Sequence, residues 1–323
     1  MYDVTALGEI LVDFTPAGDS PRGNRLFERN AGGAPANVLV CLAKLGDSTA
    51  FLGKVGDDAA GRFLVEVLKA HRVDVGGVRV DPAVPTTLAF VELDAQGGRT
   101  FDFRRNPGAD TTLTPAEVDA ARIADSRIFH LGSLSLTHEP ARSATLLALS
   151  EARKHGLMVS YDPNLRPALW RDLDEAKTQI ASVVRYADVV KLSGDELAFL
   201  TGEADPEIGS RMLQGHHGVP LVLVTLGPEG CLWRLGRSMG REPAFSGLAV
   251  VDTTGAGDAF LGAFLHTLVA RDWTRVSEIE PGEMPRMVRF ACAVAGLCTT
   301  RHGAIPAMPS PDEVARLLSR SGG

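Results

Sequence analysis

Residues 252–260 read Asp252-Thr253-Thr254-Gly255-Ala256-Gly257-Asp258-Ala259-Phe260, two carboxylates around a run of the smallest side chains. The pattern predicts a helix over 258–270 that opens at the glycines, preceded by a short strand over 248–251. At such a helix start Gly255, Ala256 and Gly257 expose successive backbone N–H groups with little bulk over them. That arrangement attracts an anion by dipole and by geometry. Asp258, in the first turn, is placed to take a proton from a hydroxyl lying over the same pocket. Phosphoryl transfer needs little more: positioning, neutralised charge and a base for the attacking hydroxyl. The competing structural reading is a glycine-rich turn whose Asp only complements the helix dipole. Two Asp and so many small residues in nine positions argue against it.

A second motif, Ala31-Gly32-Gly33-Ala34-Pro35-Ala36-Asn37, lies before another expected helix. Adjacent glycines let a ligand approach the backbone closely. Asn37 offers a donor and an acceptor to hydroxyls. Asp13 ends the first strand-like region and either begins a turn or faces the same ligand. Ser193-Gly194-Asp195-Glu196 fits a capping box just after a strand, as do Thr114 with Glu117 and Ser310 with Glu313. Trp170 reads as packing. The eight histidines show no metal-ligand spacing, and His138-Glu139 lacks a second His. There is no GxxxxGK[ST], which excludes a P-loop kinase, and no GxGxxG after the first strand, which weighs against a dinucleotide oxidoreductase.

Taken together the motifs resemble those of the PfkB-type carbohydrate kinases of the ribokinase-like superfamily, and within them the fructokinases. The matching stretches run nearly the full length: 8–14, 32–37, 51–58, 105–110, 161–166, 191–196, 225–230 and 252–258. The resemblance implies that Asp258 is the catalytic base and Gly255, Ala256 and Gly257 the anion hole. It implies that Asp13, Gly32, Gly33 and Asn37 meet sugar hydroxyls and that Arg105 and Arg166 approach the sugar or the moving phosphate. Ser193, Thr225, Gly227 and Gly230, with Gly257, would lie along ATP. Glu196 would act on the magnesium of Mg-ATP through water, though Ser193 stands where many members carry Asn. Backbone carbonyls near Asp252, Thr254, Cys298 and Gly303 would hold a monovalent cation, potassium. The implied reaction is transfer of the ATP γ-phosphate to a sugar, D-fructose giving fructose 6-phosphate. A 2-keto-3-deoxygluconate kinase, a ribose or nucleoside kinase and a catalytically silent sugar-binding regulator are the alternatives.

These groups need a scaffold. Strand-like segments at 4–11, 128–131, 157–161, 189–192, 221–226 and 248–251 alternate with helical ones at 141–155, 175–186, 258–270, 285–298 and 312–319, and a further helix opens near Pro35. Such alternation predicts an α/β fold with a mostly parallel sheet covered on both faces, and ligands beyond the carboxyl ends of its strands. Two β-rich runs, 88–93 and 100–103, are joined by Asp94-Ala95-Gln96-Gly97-Gly98-Arg99 as in a hairpin. With residues 15–30 they read as a small β-lid, segments 15–30 and 86–106 of a single domain spanning 1–323. Its unpaired edges predict a homodimer through the lids.

Composition sets the outer limits. The 323 residues are 45% hydrophobic and 23% charged, enough for a large core. A net charge of −7 without a Lys/Arg run argues against nucleic acid as a partner. No apolar run approaches the ~20 residues of a membrane span. Four cysteines without a CxxC pair and an N-terminus without a signal-peptide pattern predict a cytoplasmic protein.

Overall fold

The computed structural model describes residues 1–93 and 99–320. The chain opens with β1 (Tyr2–Leu7), β2 (Leu11–Asp19), β3 (Arg25–Gly32), α1 (Ala34–Leu45), β4 (Thr49–Gly56), α2 (Ala59–Ala70) and β5 (Asp74–Asp81). It continues through β6 (Leu88–Leu93), β7 (Arg99–Arg104), α3 (Ala120–Ala124), β8 (Ser126–Leu131), α4 (Ala141–Lys154), β9 (Met158–Tyr161) and α5 (Leu173–Val184). Then come β10 (Val189–Ser193), α6 (Gly194–Thr201), α7 (Pro206–His217), β11 (Leu221–Thr225), β12 (Cys231–Leu235) and β13 (Ser238–Glu242). The helices α8 (Ala256–Val269), α9 (Met284–Cys298) and α10 (Pro311–Arg320) follow.

Nine strands form the main sheet in the order β13-β12-β11-β10-β9-β8-β1-β4-β5. All its pairings are parallel except β11 with β12 and β12 with β13, an antiparallel edge. Successive strand residues alternate between two cores. Val189, Leu221 and Leu223 join the core containing α1, α8 and α9. Val190, Leu192, Val222 and Val224 join the core on the other face. Burial on both faces explains why these strands read as continuous apolar runs. Helix α8 is apolar nearly all round because it is buried nearly all round. Gly262 lets it approach α1, since a Cβ there would lie 2.8 Å from the Cys41 Cβ.

The second sheet has the order β3-β2-β6-β7. It contains the expected lid strands but starts earlier, at Leu11, and β3 runs on to Gly32. One expected strand, 4–11, is therefore two. The main-sheet strand ends at Leu7, Gly8-Glu9-Ile10 turns at its carboxyl end, and Leu11 enters the lid. The hairpin turn at 94–98 lies outside the described residues. The expected strand at 248–251 does not form. Val251 N–H and Asp252 N–H both bond to Thr299 O at the end of α9, and Val250 and Val251 are exposed. The apolar run there marks attachment to α9 through Leu248, which packs against Gly296.

Candidate active site

Strand ends of the main sheet, the root of the lid and the start of α8 converge on one pocket. It is lined by Asp13, Gly33, Asn37, Arg166, Thr254, Gly255 and Asp258, all singled out from the sequence, and by Glu9 and Asn164, which were not. Phe103 and Leu134 supply apolar wall.

Asp258 is buried in the first turn of α8. Asn37 Nδ2 donates to its Oδ2 at 2.8 Å, and Asn164 Nδ2 approaches Oδ1 at 3.4 Å. The two amides fix the carboxylate plane. Burial raises its pKa above the ordinary Asp value, while Asn37, Lys191 and Arg166 pull the other way. The group is therefore more basic than a free carboxylate, which suits proton abstraction.

Gly255 caps α8 with φ of 78°, and a Cβ there would lie 2.6 Å from the Ala304 Cβ. No side chain caps this helix, and Thr254, Gly255 and Asp258 at its start line the pocket, while Ala256 N–H bonds to Thr253 O at 3.2 Å. Behind the turn, Asp252 ties two segments together. Its Oδ1 accepts Thr254 N–H at 2.7 Å and its Oδ2 accepts Gly303 N–H at 3.0 Å. Cys298 Sγ lies 3.9 Å from Thr254 O. The four residues assigned to a cation are thus brought together behind the glycines.

At the start of α1, Gly33 (φ 108°) turns the chain into the helix where a Cβ would lie 2.5 Å from Glu9 O. A Cβ on Gly32 would collide with the Asp13 carboxylate, so that glycine clears space for it. Glu9 Oε1 accepts Ala34 N–H at 2.9 Å. Its Oε2 and Asn37 Oδ1 are buried without a protein partner. Unpaired buried acceptors are costly, and beside an open pocket they are suited to ligand hydroxyls. Burial pushes both Glu9 and Asp13 up to about 7, in the latter case against the opposing pull of Arg166. A Glu within the apolar run Ala6-Leu7-Gly8-Glu9-Ile10-Leu11 was a signal that could have been used. Asn164 sits at φ 46° in a turn where its N–H bonds Asp162 Oδ1 at 3.2 Å.

Arg105 is placed elsewhere. Its guanidinium is buried against Asp110 at 2.6 Å and also donates to Thr137 Oγ1 and Leu134 O. It supports the pocket wall through Leu134 and does not line the pocket.

The residues assigned to ATP stand at the carboxyl ends of neighbouring strands, where Ser193 pairs in register with Thr225. Gly227 and Gly230 follow with φ of 57° and 93°. The capping box at α6 is formed. Glu196 Oε2 accepts Ser193 N–H at 2.7 Å and Ser193 Oγ accepts Glu196 N–H at 3.1 Å. Glu196 Oε1 takes Leu165 N–H at 2.7 Å, which anchors the loop carrying Asn164 and Arg166.

The comparisons with known proteins agree with this geometry. The model of the pfkB family carbohydrate kinases matches residues 1–311. Fructokinase-2 of Solanum habrochaites is 43% identical over 317 residues, 98% of this chain and 95% of its own length. The fructokinase of Xylella fastidiosa, solved with bound ATP, superposes with a TM-score of 0.91 at 33% identity and covers 100% of both chains. That of Vibrio cholerae O395, solved with fructose, ADP and calcium, gives 0.87 at 34% identity over 98% of this chain and 99% of its own. A double mutant of the latter was solved with fructose, ADP and potassium, and gives 0.87 at 33% identity over 98% of both chains. The chain belongs to the pfkB family of carbohydrate kinases, and its fold is ribokinase-like.

Proposed function

We propose that this carbohydrate kinase is a fructokinase that transfers the γ-phosphate of ATP to the 6-hydroxyl of D-fructose. The observation that carries the mechanism is Asp258, buried between Asn37 and Asn164 at the uncapped start of α8. The relatives named fructokinase, and the structure with fructose and ADP, support the substrate.

In this reading the sugar hydroxyl gives its proton to Asp258 while its oxygen attacks the γ-phosphorus in line. Gly255, Ala256 and Gly257 hold the phosphoryl oxygens by backbone N–H groups at the uncapped helix start, Ala256 giving up its bond to Thr253 O. Asp13, Glu9 and Asn37 accept from the other sugar hydroxyls. The lid, through Phe103, keeps out water that would otherwise hydrolyse ATP. Magnesium would supply charge neutralisation on the ATP phosphates. Glu196 fits it only through water, because both its oxygens already accept backbone N–H groups. A potassium ion would fit behind the glycines, and a relative was solved with potassium bound. We read residues 1–323 as one kinase domain, with the small sheet as its lid. Leu26 and Phe27 are each 44% exposed on an edge strand of that sheet, which supports a homodimer through the lids. A one-chain mass by light scattering at micromolar concentration would refute the dimer. No helix among the described residues is long and apolar enough to cross a membrane. The four buried, unpaired cysteines suit a reducing cytoplasm.

The test is a coupled ADP-release screen over fructose, ribose, ketodeoxygluconate and nucleosides at one Mg-ATP concentration. Fructose should show the highest kcat/KM. A tenfold advantage for ribose or ketodeoxygluconate would overturn the substrate and leave the kinase.

A further inference from the structure

One strongly charged group beside the site has no role in the mechanism above. Lys191 stands inside the apolar strand β10, Val189-Val190-Lys191-Leu192-Ser193, and is 6% exposed. Lysine is seldom buried so fully unless something uses its charge. Its Nζ donates to Asp162 Oδ2 at 2.9 Å, and Asp162 is itself 1% exposed. An ammonium carries three N–H donors. The Asp162 bond is the one that Lys191 makes among the described residues, so two donors remain.

Helix α8 lies against the ammonium. A Cβ built on Gly257 would lie 2.8 Å from the Lys191 Nζ. The ammonium therefore rests against the first turn of α8 at Gly257. Glycine at 257 is what allows the approach. Burial alone would lower the Lys191 pKa, but Asp162, Glu196 and Asp258 together override it and hold the group charged.

We propose that Lys191 is a further catalytic residue, whose ammonium donates to the phosphoryl oxygens from the strand side of the anion hole while Asp162 aims it. The inference rests on reading Gly255–Gly257 as that anion hole. A bond forms between the sugar oxygen and the γ-phosphorus. The bond from phosphorus to the bridging oxygen breaks, its electron pair leaves with ADP, and the sugar proton ends on Asp258. Lys191 keeps its own protons throughout. A fixed cation at this point neutralises charge developing on the transferring group without reorganisation. The alternative is a plain counter-charge for Asp162. A buried ion pair is by itself weak evidence of stabilisation, and two spare donors beside Gly257 are more than a counter-charge needs.

The experiment compares Lys191→Met, Asp162→Asn, the double variant and Asp258→Asn in the full chain. It follows kcat, fructose KM, ADP affinity, affinity for ADP with aluminium fluoride, and thermal melting. Lys191→Met should lower kcat about 100-fold, the scale of one transition-state donor. Fructose KM and ADP affinity should stay within about threefold, while affinity for the aluminium fluoride complex falls with kcat. The double variant, which leaves no charge unpaired, should remain as slow. Recovery of activity in the double variant, or a Lys191→Met kcat within threefold of the parent, overturns the proposal. If Lys191→Met does not fold, the double variant decides alone by the same criterion. If Asp258→Asn is slow while Lys191→Met is not, this inference alone fails. If both are active, the anion-hole reading fails with it.

Discussion

Helices α1 and α8 begin in the same way, and in the proposed function they bind different things. Each starts at a glycine of positive φ, Gly33 at 108° and Gly255 at 78°, and neither glycine supplies a side-chain cap. The helix dipole favours negative charge at both ends alike. At α1 the end is closed: Glu9 Oε1 holds Ala34 N–H, and Pro35 has no N–H to offer. What remains facing the pocket there is a set of acceptors suited to neutral hydroxyls. At α8 no side chain caps the end, and the Lys191 ammonium rests against Gly257 in its first turn. In the proposed function two nearly identical turns thus become a sugar site and a phosphate site. The residue that reaches each turn from elsewhere in the chain makes the difference.

The comparison breaks most visibly at α8. Asp258→Asn keeps the Asn37 contact within reach but removes the base, and kcat should fall at least ~100-fold. Melting temperature should not fall, because a buried charge is lost. Stopped-flow or coupled turnover within threefold of the parent would show that α8 is no more catalytic than α1.

At α1 the expected effect is smaller and falls on binding. Glu9→Gln keeps Oε1 for Ala34 N–H and replaces the unpaired Oε2. Fructose KM should rise about tenfold, within the ~1–3 kcal/mol of one buried polar contact, with kcat changed less than threefold. Stability should move the other way. Glu9 has a folded pKa of about 7, above its ordinary 4.5. Its burial costs nothing when it is protonated in both states, below 4.5. The cost grows as pH rises towards 7 and is constant above that. Glu9→Gln should therefore melt higher than the parent at pH 8 and the same at pH 4. A lower melting temperature at pH 8 would show that Oε2 is a structural partner and not an open acceptor.

The smallest effect sharpens the contrast behind the two turns. Only α8 has Asp252 joining residues 252–254 to Gly303 behind its glycines. At fixed ionic strength, potassium should raise kcat several-fold over sodium or a bulky organic cation, while fructose KM stays nearly constant. Equal rates in all three salts would remove the cation from this reading.

Much of the scaffold was legible without coordinates, because burial on both faces of a sheet and the caps of helices leave local patterns. Continuous apolar runs marked β8 to β11, and the glycine-bearing stretches marked both helix starts. Where an apolar run served another purpose, the pattern misled. Residues 248–251 satisfy the composition of a strand, but the N–H groups of Val251 and the following Asp252 go to Thr299 and not to a neighbouring strand.

Side-chain destinations lay beyond the sequence for a physical reason: they are set by contacts between distant segments. Residue types and spacing determined that Asp258 would stand at an open helix end and that a carboxylate at 13 and an amide at 37 were available. Only the tertiary structure joined Asn37 to Asp258 across 221 positions, aimed Glu9 at Ala34, turned Arg105 inward to Asp110 and laid Lys191 against Gly257. Backbone conformation follows from neighbours along the chain, whereas a buried charge settles wherever the fold offers it a partner.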